Sequence, residues 1–335
     1  MTERTPLDGV DLLLADLDGV VYRGSHAIPH AVESLNRASS SCALAYVTNN
    51  ASRTPESVAE QLAGFGLDVS RDDIVTSSQA AVRLLADLIP PGSRVLVVGG
   101  DGLHAELTLA GFEITESADD SPAAVIQGFA PEVGWVHLAE AAYALQGEGN
   151  ELPWVATNTD WTIPRARGIA PGNGTLVSAV HLAVGRLPVV AGKPETPIFQ
   201  AAIARFGGTK TLFIGDRLDT DILGANRAGI ESVMVLTGVD QAKQILAADP
   251  NSRPTFILEN LSELDKPYPH VQVDVSPDGA RVVTVGNAVV QLVGTVVSIV
   301  SKGESTINLL RAGSAAIWGS GLAIYGLNVD PELYS

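Results

Sequence analysis

The chain has only one cysteine in 335 residues, Cys42, so no disulfide can form within it. Cys42 opens the run CALAYV and reads as a buried core thiol. Cations are also scarce: 21 lysines and arginines face 38 aspartates and glutamates, for a formal net charge of −17. Nucleic acid and anionic membranes would not attract such a chain. A small anionic substrate stays open, because a bound divalent cation reverses the sign locally. Long hydrophobic runs are missing too. The longest, Ala288 to Val300, is too short to span a bilayer and is broken by Gln291 and Gly294. The opening MTERTPLDG lacks the apolar stretch of a signal peptide. The expectation is a soluble, cytoplasmic protein without membrane insertion and without a nucleic-acid partner.

Against these absences stands a hydrophobic content of 46 %, ordinary for a globular protein, on a chain long enough for two or three domains. Strand-like and helix-like segments alternate, which favours an α/β fold with a parallel sheet. Strands are expected at Leu12 to Ala15, Leu44 to Val47, Val95 to Val98, Ala124 to Ile126, Val155 to Ala156, Val189 to Ala191, Leu212 to Ile214 and Ser232 to Val235. Thr54-Pro55 and Thr196-Pro197 each read as a threonine N-cap followed by proline in the first helical position, and Ser77 to Leu88 reads as a further helix.

Four loops at strand ends carry reactive side chains. In LLLADLDGVVYRG an apolar strand ends in Asp16 and Asp18, two carboxylates that are costly to leave unpaired and that point to a metal, a phosphate or both. An aspartate in a strand-to-helix turn often only caps the next helix, but three other loops weigh against that. YVTNNASRTPE places Thr48 between a strand and a helix N-terminus, where a hydroxyl and backbone amides can cradle phosphate. AGKPETPIF places Lys193 in the same setting, where a lone lysine is more often solvated. LFIGDRLDTDILGANRAG gathers Asp216, Asp219 and Asp221, which repel one another unless solvent or a cation separates them. Together they place on one sheet edge what phosphoryl transfer requires: a carboxylate nucleophile, a general acid, a metal site and a cation for the phosphoryl oxygens.

Spacing sets the architecture. Asp16 to Thr48 is 32 residues, about one βαβ unit, and Lys193 to Asp216 is 23, one helix and one strand. Thr48 to Lys193 is 145 residues, far beyond a single crossover. The expected division is a Rossmann-like catalytic core at 1–76 and 189–265, an inserted α/β cap at 77–188, and a small α+β appendage at 266–335. In the appendage, Ser276-Pro277-Asp278-Gly279 reads as a hairpin turn. Apolar residues at 289, 293, 296 and 300 fit a helix, while their β-branched character fits strands equally well.

DLDGVVYRG, VTNNASRTPE, GKPETPIF and GDRLDTDILGANRAG, in this order and spacing, resemble the four motifs of the haloacid dehalogenase superfamily of phosphatases. The position of the insert, with ATNTD (Ala156 to Asp160) and PGNG (Pro171 to Gly174) inside it, resembles the type IIA cap of the NagD-like, p-nitrophenylphosphatase and phosphoglycolate phosphatase branch. The resemblance covers roughly residues 8 to 265. It implies Asp16 as nucleophile, Asp18 as general acid and base, and Mg²⁺ held by the Asp16 carboxylate, the Asp18 carbonyl and the Asp216 carboxylate. Asp221 would orient metal-bound water or Lys193. Thr48, Asn49, Asn50 and Lys193 would bind the phosphoryl group, and no motif position departs from the pattern. The resemblance further implies a small phosphorylated metabolite as substrate, with glycerol 3-phosphate ahead of 2-phosphoglycolate and pyridoxal phosphate, and a homodimer formed through the cap.

Other features have plainer readings. VVGGDG (Val97 to Gly102) is a Gly-rich turn rather than a nucleotide loop, since the G-x-G-x-x-G spacing is missing. Asn158, Asp160 and Arg165 either face the substrate from the cap or form an ordinary surface loop. Arg23 either touches phosphate or pairs with a nearby acid. His181 reads as a packed histidine, and Lys302, Glu304 and Arg311 as solvated. Two competing readings follow: a phosphotransferase or mutase on the same fold, and a binding or regulatory module centred on the appendage. A dehalogenase is disfavoured, because Asp18 supplies an acid that carbon–halogen cleavage does not need.

Overall fold

A computed structural model describes residues 4–147, 149, 151–165, 167–277 and 279–334, the side chains of Pro164 and Arg165 excepted. The chain forms two compact units, Met1–Leu44 with Gly208–Ser335, and Ala45–Gly207.

The first unit is built on parallel strands in the order Phe256–Leu258, Glu231–Val235, Thr211–Gly215, Leu12–Ala15. Leu12, Leu13, Leu14 and Ala15 are all fully buried, which is why the segment is apolar without alternation. Register pairs Leu12 with Thr211 and Ala15 with Ile214, so the residues that follow, Asp16 and Gly215-Asp216, leave the sheet side by side.

The C-terminal segment folds onto this unit as an antiparallel sheet of Val271–Val275, Arg281–Val285, Ala288–Val293 and Val296–Ser301, with Asn328–Val329 parallel at its edge. The hairpin signal is realised: the Ser276 amide donates to the Ala280 carbonyl (2.9 Å) and Gly279 adopts φ +84°; Asp278 lies outside the described residues. The ambiguity at 288–300 resolves to strands. Ala288, Val290 and Leu292 point inward at period two, whereas the helically spaced Val293, Val296 and Val300 are exposed, and Gly294 turns the chain at φ +58°. The inner face packs with helix Thr306–Trp318 into one cluster containing Val283, Val290 and Ile317 together with Leu218, Met234 and Ile257. The appendage therefore shares its core with the parallel sheet.

Arg311, expected to be solvated, is buried inside this cluster's wall. Its guanidinium donates to Glu263 (2.6 Å), Asn308 (2.8 Å) and the Ile257 carbonyl (2.9 Å) and lies over the Tyr268 ring. A buried charge with each guanidinium nitrogen engaged in this way is tolerated where a bare one is not.

The second unit contains the parallel pair Ala43–Thr48 and Ile74–Thr76, the first strand beginning just before the unit boundary. It also contains a five-stranded parallel sheet in the order Val189–Val190, Trp154–Ala156, Ala124–Gln127, Arg94–Val98, Glu113–Thr115. Helices Trp135–Leu145 and Asn173–Val184 cover one face of this sheet around Leu96, Val98, Trp154 and Val177. Helix Pro55–Gly64 starts as expected, with the Thr54 hydroxyl accepting from the Ser57 amide (3.3 Å). Thr196 precedes helix Pro197–Phe206 in helical conformation without a side-chain cap bond, so there proline alone marks the start. Helix Ser77–Ala86 stops two residues short of the expected end. No helix among the described residues is long and apolar enough to cross a membrane.

Cys42 sits one residue ahead of its strand and is half-buried rather than enclosed; its thiol donates to the Ala38 carbonyl, and burial raises its pKa. His181 is also half-buried, its Nδ1 2.9 Å from the Arg186 carbonyl just beyond its helix.

Candidate active site

In the first unit, strand Leu12–Ala15 delivers Asp16, whose amide donates to the Ile214 carbonyl (2.9 Å). Strand Thr211–Gly215 delivers Asp216, and the wide turn Leu218–Ile222 returns Asp221 beneath it. One carboxylate oxygen from each of Asp16, Asp216 and Asp221 lies within 4.8 Å of the others. All three residues are buried, at 8 %, 2 % and 1 % exposed. Asp221 Oδ2 accepts from the amides of Asp216 and Arg217 (3.1 Å each), and Asp216 Oδ2 from Val239 (2.6 Å). Three like charges at this range are unstable together unless a cation lies among them, and hard carboxylate oxygens suit Mg²⁺. The donor set therefore fits a divalent metal.

The backbone around the cluster is shaped for it. Gly19 (φ +85°) and Gly238 both lie against the Asp216 carboxylate, and a Cβ at either would collide with it. Asp18 stands apart from the cluster: its side chain is exposed and lies 3.4 Å from the Tyr22 hydroxyl. Arg23 pairs with no acid among the described residues and donates to the Thr237 carbonyl.

Sequence reasoning missed Asp240. Its Oδ2 accepts from the Leu218 amide (2.7 Å) and its own amide donates to the Asp216 carbonyl (3.1 Å), tying together two loops of the acid cluster. Burial raises its pKa, opposed by the Leu218 amide. The signal was available: Gly238-Val239-Asp240 follows the buried strand Glu231–Val235, at the same sheet end that supplies the other acids.

In the second unit, Thr48 ends strand Ala43–Thr48, 4 % exposed, and its hydroxyl accepts from the Asn50 amide (3.1 Å). The Asn50 side chain is engaged in the turn itself, accepting from the Ser52 amide (3.0 Å) and hydroxyl (2.9 Å). Asn49 is the hub. Its Oδ1 accepts from the Lys193 amide (2.8 Å), while its Nδ2 donates to the Lys193 carbonyl (3.0 Å) and to both Asp160 oxygens (3.2 Å each). The Asn49 carbonyl accepts from Asn158 Nδ2 and the Ser77 hydroxyl (2.7 Å each). Asn158 is thus buried rather than part of an open loop, and with Asp160 it is fastened to the Thr48 turn. The Arg165 side chain lies outside the described residues. Lys193 is 3 % exposed, its Nζ 3.5 Å from the Val47 carbonyl.

Comparison with known proteins agrees with this chemistry. A model of haloacid dehalogenase-like hydrolases matches residues 13–113, and a second model of HAD-hydrolase-like domains matches 190–264. A D-glycerol 3-phosphate phosphatase of Mycobacterium tuberculosis is 41 % identical over 316 residues, covering 92 % of this chain and 86 % of that protein. An acid sugar phosphatase of Staphylococcus aureus is 33 % identical over 253 residues, covering 75 % and 95 %. The crystal structure of a glycerol phosphate phosphatase from Mycobacterium tuberculosis in complex with magnesium superposes with a TM-score of 0.83 at 37 % identity, covering 98 % of this chain and 96 % of that one. The acid cluster, the strand order that builds it and these likenesses place the chain in the haloacid dehalogenase-like hydrolase family.

Proposed function

We propose that the chain is a Mg²⁺-dependent phosphomonoesterase for a small phosphate ester, with glycerol 3-phosphate the first candidate. The observation that carries this reading is the approach of Asp16, Asp216 and Asp221 within 4.8 Å. The glycerol phosphate named for the 41 % identical relative supports the substrate. When bound, Mg²⁺ neutralises charge on the phosphoryl group and on the attacking carboxylate.

Asp16 attacks phosphorus and becomes an aspartyl-phosphate as the ester bond breaks. Asp18, protonated, gives its proton to the departing alkoxide, and the exposure of its side chain suits that exchange. The resulting Asp18 carboxylate takes a proton from the water that then attacks phosphorus, releasing phosphate and restoring both residues. Thr48, the Asn49 amide and Lys193 bind the phosphoryl oxygens, with Asn50 shaping the turn. In this reading residues 1–76 and 189–265 act as catalytic core, 77–188 as cap and 266–335 as appendage. The shared core of the appendage favours a structural part for it over an independent binding module. A cytoplasmic setting, consistent with a single cysteine, and a homodimer belong to the same reading. The exposed Trp135, Leu182 and Leu187 are the surface such a dimer would cover.

Phosphate release from glycerol 3-phosphate, 2-phosphoglycolate and pyridoxal phosphate, measured side by side with Mg²⁺ and after chelation, tests the proposal. The expected result is Mg²⁺-dependent turnover with the highest kcat/KM on glycerol 3-phosphate. Faster turnover on another ester would replace the substrate, and no release from any ester would overturn the activity.

A further inference from the structure

Acids outnumber lysines and arginines in this chain 38 to 21, so an arginine without a carboxylate partner stands out. One surface pocket of the second unit, about 200 Å³ in volume, is lined by three arginines, Arg71, Arg83 and Arg205, together with Gln79, Glu106 and the apolar Leu109. They come from separate elements: the turn Arg71–Asp73, helix Ser77–Ala86, helix Asp101–Leu109 and helix Pro197–Phe206.

Only Arg71 is paired, with Glu56 and more distantly with Asp72 (3.7 Å). Arg205 donates to the Ile74 carbonyl (2.9 Å) and approaches Gln79 Oε1 (3.5 Å), with no ion pair among the described residues. Arg83 makes neither a hydrogen bond nor an ion pair with the described residues. The one lining carboxylate, Glu106, is fastened to an amide instead, accepting from Gln79 Nε2 (3.1 Å), and that amide is itself locked because Gln79 Oε1 accepts from the Thr76 amide (3.3 Å). Arginines that merely cover apolar surface splay outward singly. Here arginines from three elements line one concavity, and the planar fork of a guanidinium matches the oxygens of a phosphate or sulfate group.

We propose that this pocket is a second anion site that binds a phosphate-type oxyanion without metal, either as the free ion or carried on a small metabolite. It shares no residue with the candidate active site, and the proposal does not depend on the activity assigned there. Its ligand would be clasped by helices Ser77–Ala86 and Pro197–Phe206, the first beginning at the Ser77 that bonds Asn49 and the second four residues beyond Lys193.

Calorimetric titration of the full chain in excess chelator, which disables a metal-dependent site, tests the proposal. One arm uses inorganic phosphate and the other glycerol 3-phosphate. Saturable binding is expected, weakened roughly tenfold or more by Arg83→Ala and by Arg205→Ala. Glu106→Gln, which keeps the Gln79 contact and removes a repelling charge, should tighten binding about two- to fivefold. That gain cannot come from misfolding, and melting curves check the two losses. Arg83→Ala should keep phosphatase turnover unchanged. Binding in the first arm alone identifies the free ion, and tighter binding in the second identifies the ester. No saturable binding in either arm, or binding indifferent to all three substitutions, would overturn the site.

Discussion

Asp216 in the first unit and Lys193 in the second are almost equally buried, at 2 % and 3 % exposed, yet their surroundings differ in kind. Asp216 lies among carboxylates, Asp16 and Asp221, with backbone amides trimming the charge. Lys193 has its backbone clasped on both sides by the Asn49 side-chain amide, which also donates to the Asp160 carboxylate, and its ammonium lies near the Val47 carbonyl. The first cluster stores negative charge that a divalent cation can discharge. The second holds its one lysine in a hydrogen-bonded network of Asn49, Asn158 and Asp160, an arrangement suited to a site that receives an anion. Substitutions in the two clusters should therefore fail in different ways.

The sharpest break is Asp16→Asn. The amide cannot form the acyl phosphate, so turnover should fall by about 10⁴-fold or more. Asp216 and Asp221 remain, so Mg²⁺ should still bind, more weakly. Rapid-quench trapping of phosphoenzyme together with Mg²⁺ titration separates the two effects. A variant keeping a few per cent of activity would exclude covalent catalysis by this residue.

Asn49→Ala tests the other cluster. It removes the acceptor for the Lys193 amide and the donor to Asp160 at once, and leaving such groups unsatisfied typically costs about 1–3 kcal/mol. With Lys193 no longer fixed, kcat/KM should drop roughly 10- to 100-fold, while Mg²⁺ affinity, governed by the first unit, stays unchanged. Equal loss of Mg²⁺ affinity would show that the clusters are not separable in this way. Kinetics at varied Mg²⁺ and a thermal melt decide the matter.

The contrast between the clusters also marks what a sequence discloses. The carboxylates were legible because each follows an apolar strand, and charge at the end of a buried run is conspicuous whatever the tertiary structure. Asn49 was named for phosphoryl binding, but its side chain's part as a hub was not legible, since its partners Asp160 and Lys193 lie 111 and 144 positions away and no local pattern encodes a hydrogen bond of that span. Most of the parallel strands were found for the same reason as the acids, as apolar runs buried in a sheet, but Ile74–Thr76, Glu113–Thr115 and Phe256–Leu258 were not among them. In the appendage a one-sided sheet mixes exposed and buried valines, so two periodicities coexisted until packing against helix Thr306–Trp318 selected one. Arg311 was misread because the Glu263 and Tyr268 that make its burial tolerable lie more than forty residues upstream.

The smallest expected effect compares two buried phenols, one in each unit. Tyr46 and Tyr268 both have raised pKa values, in each case chiefly through burial. The charges of Asp73 and Asp68 add to the rise at Tyr46, and Arg311 opposes it at Tyr268. A pKa raised by folding means that the native state favours the neutral phenol. The associated stability is complete below the unfolded value near 10 and is lost as pH climbs from there toward the folded value. The melting temperature should accordingly fall above about pH 10, and either Tyr→Phe substitution should soften that fall. At neutral pH the two should part. Tyr268 accepts from the Ile257 amide (3.2 Å), so Tyr268→Phe should destabilise by about 1 kcal/mol. The Tyr46 hydroxyl has no hydrogen-bond partner among the described residues, so Tyr46→Phe should be neutral or stabilising by up to about 1 kcal/mol. Denaturant titrations of both variants at neutral and alkaline pH provide the check; a destabilised Tyr46→Phe at neutral pH would mean that its hydroxyl is satisfied in solution.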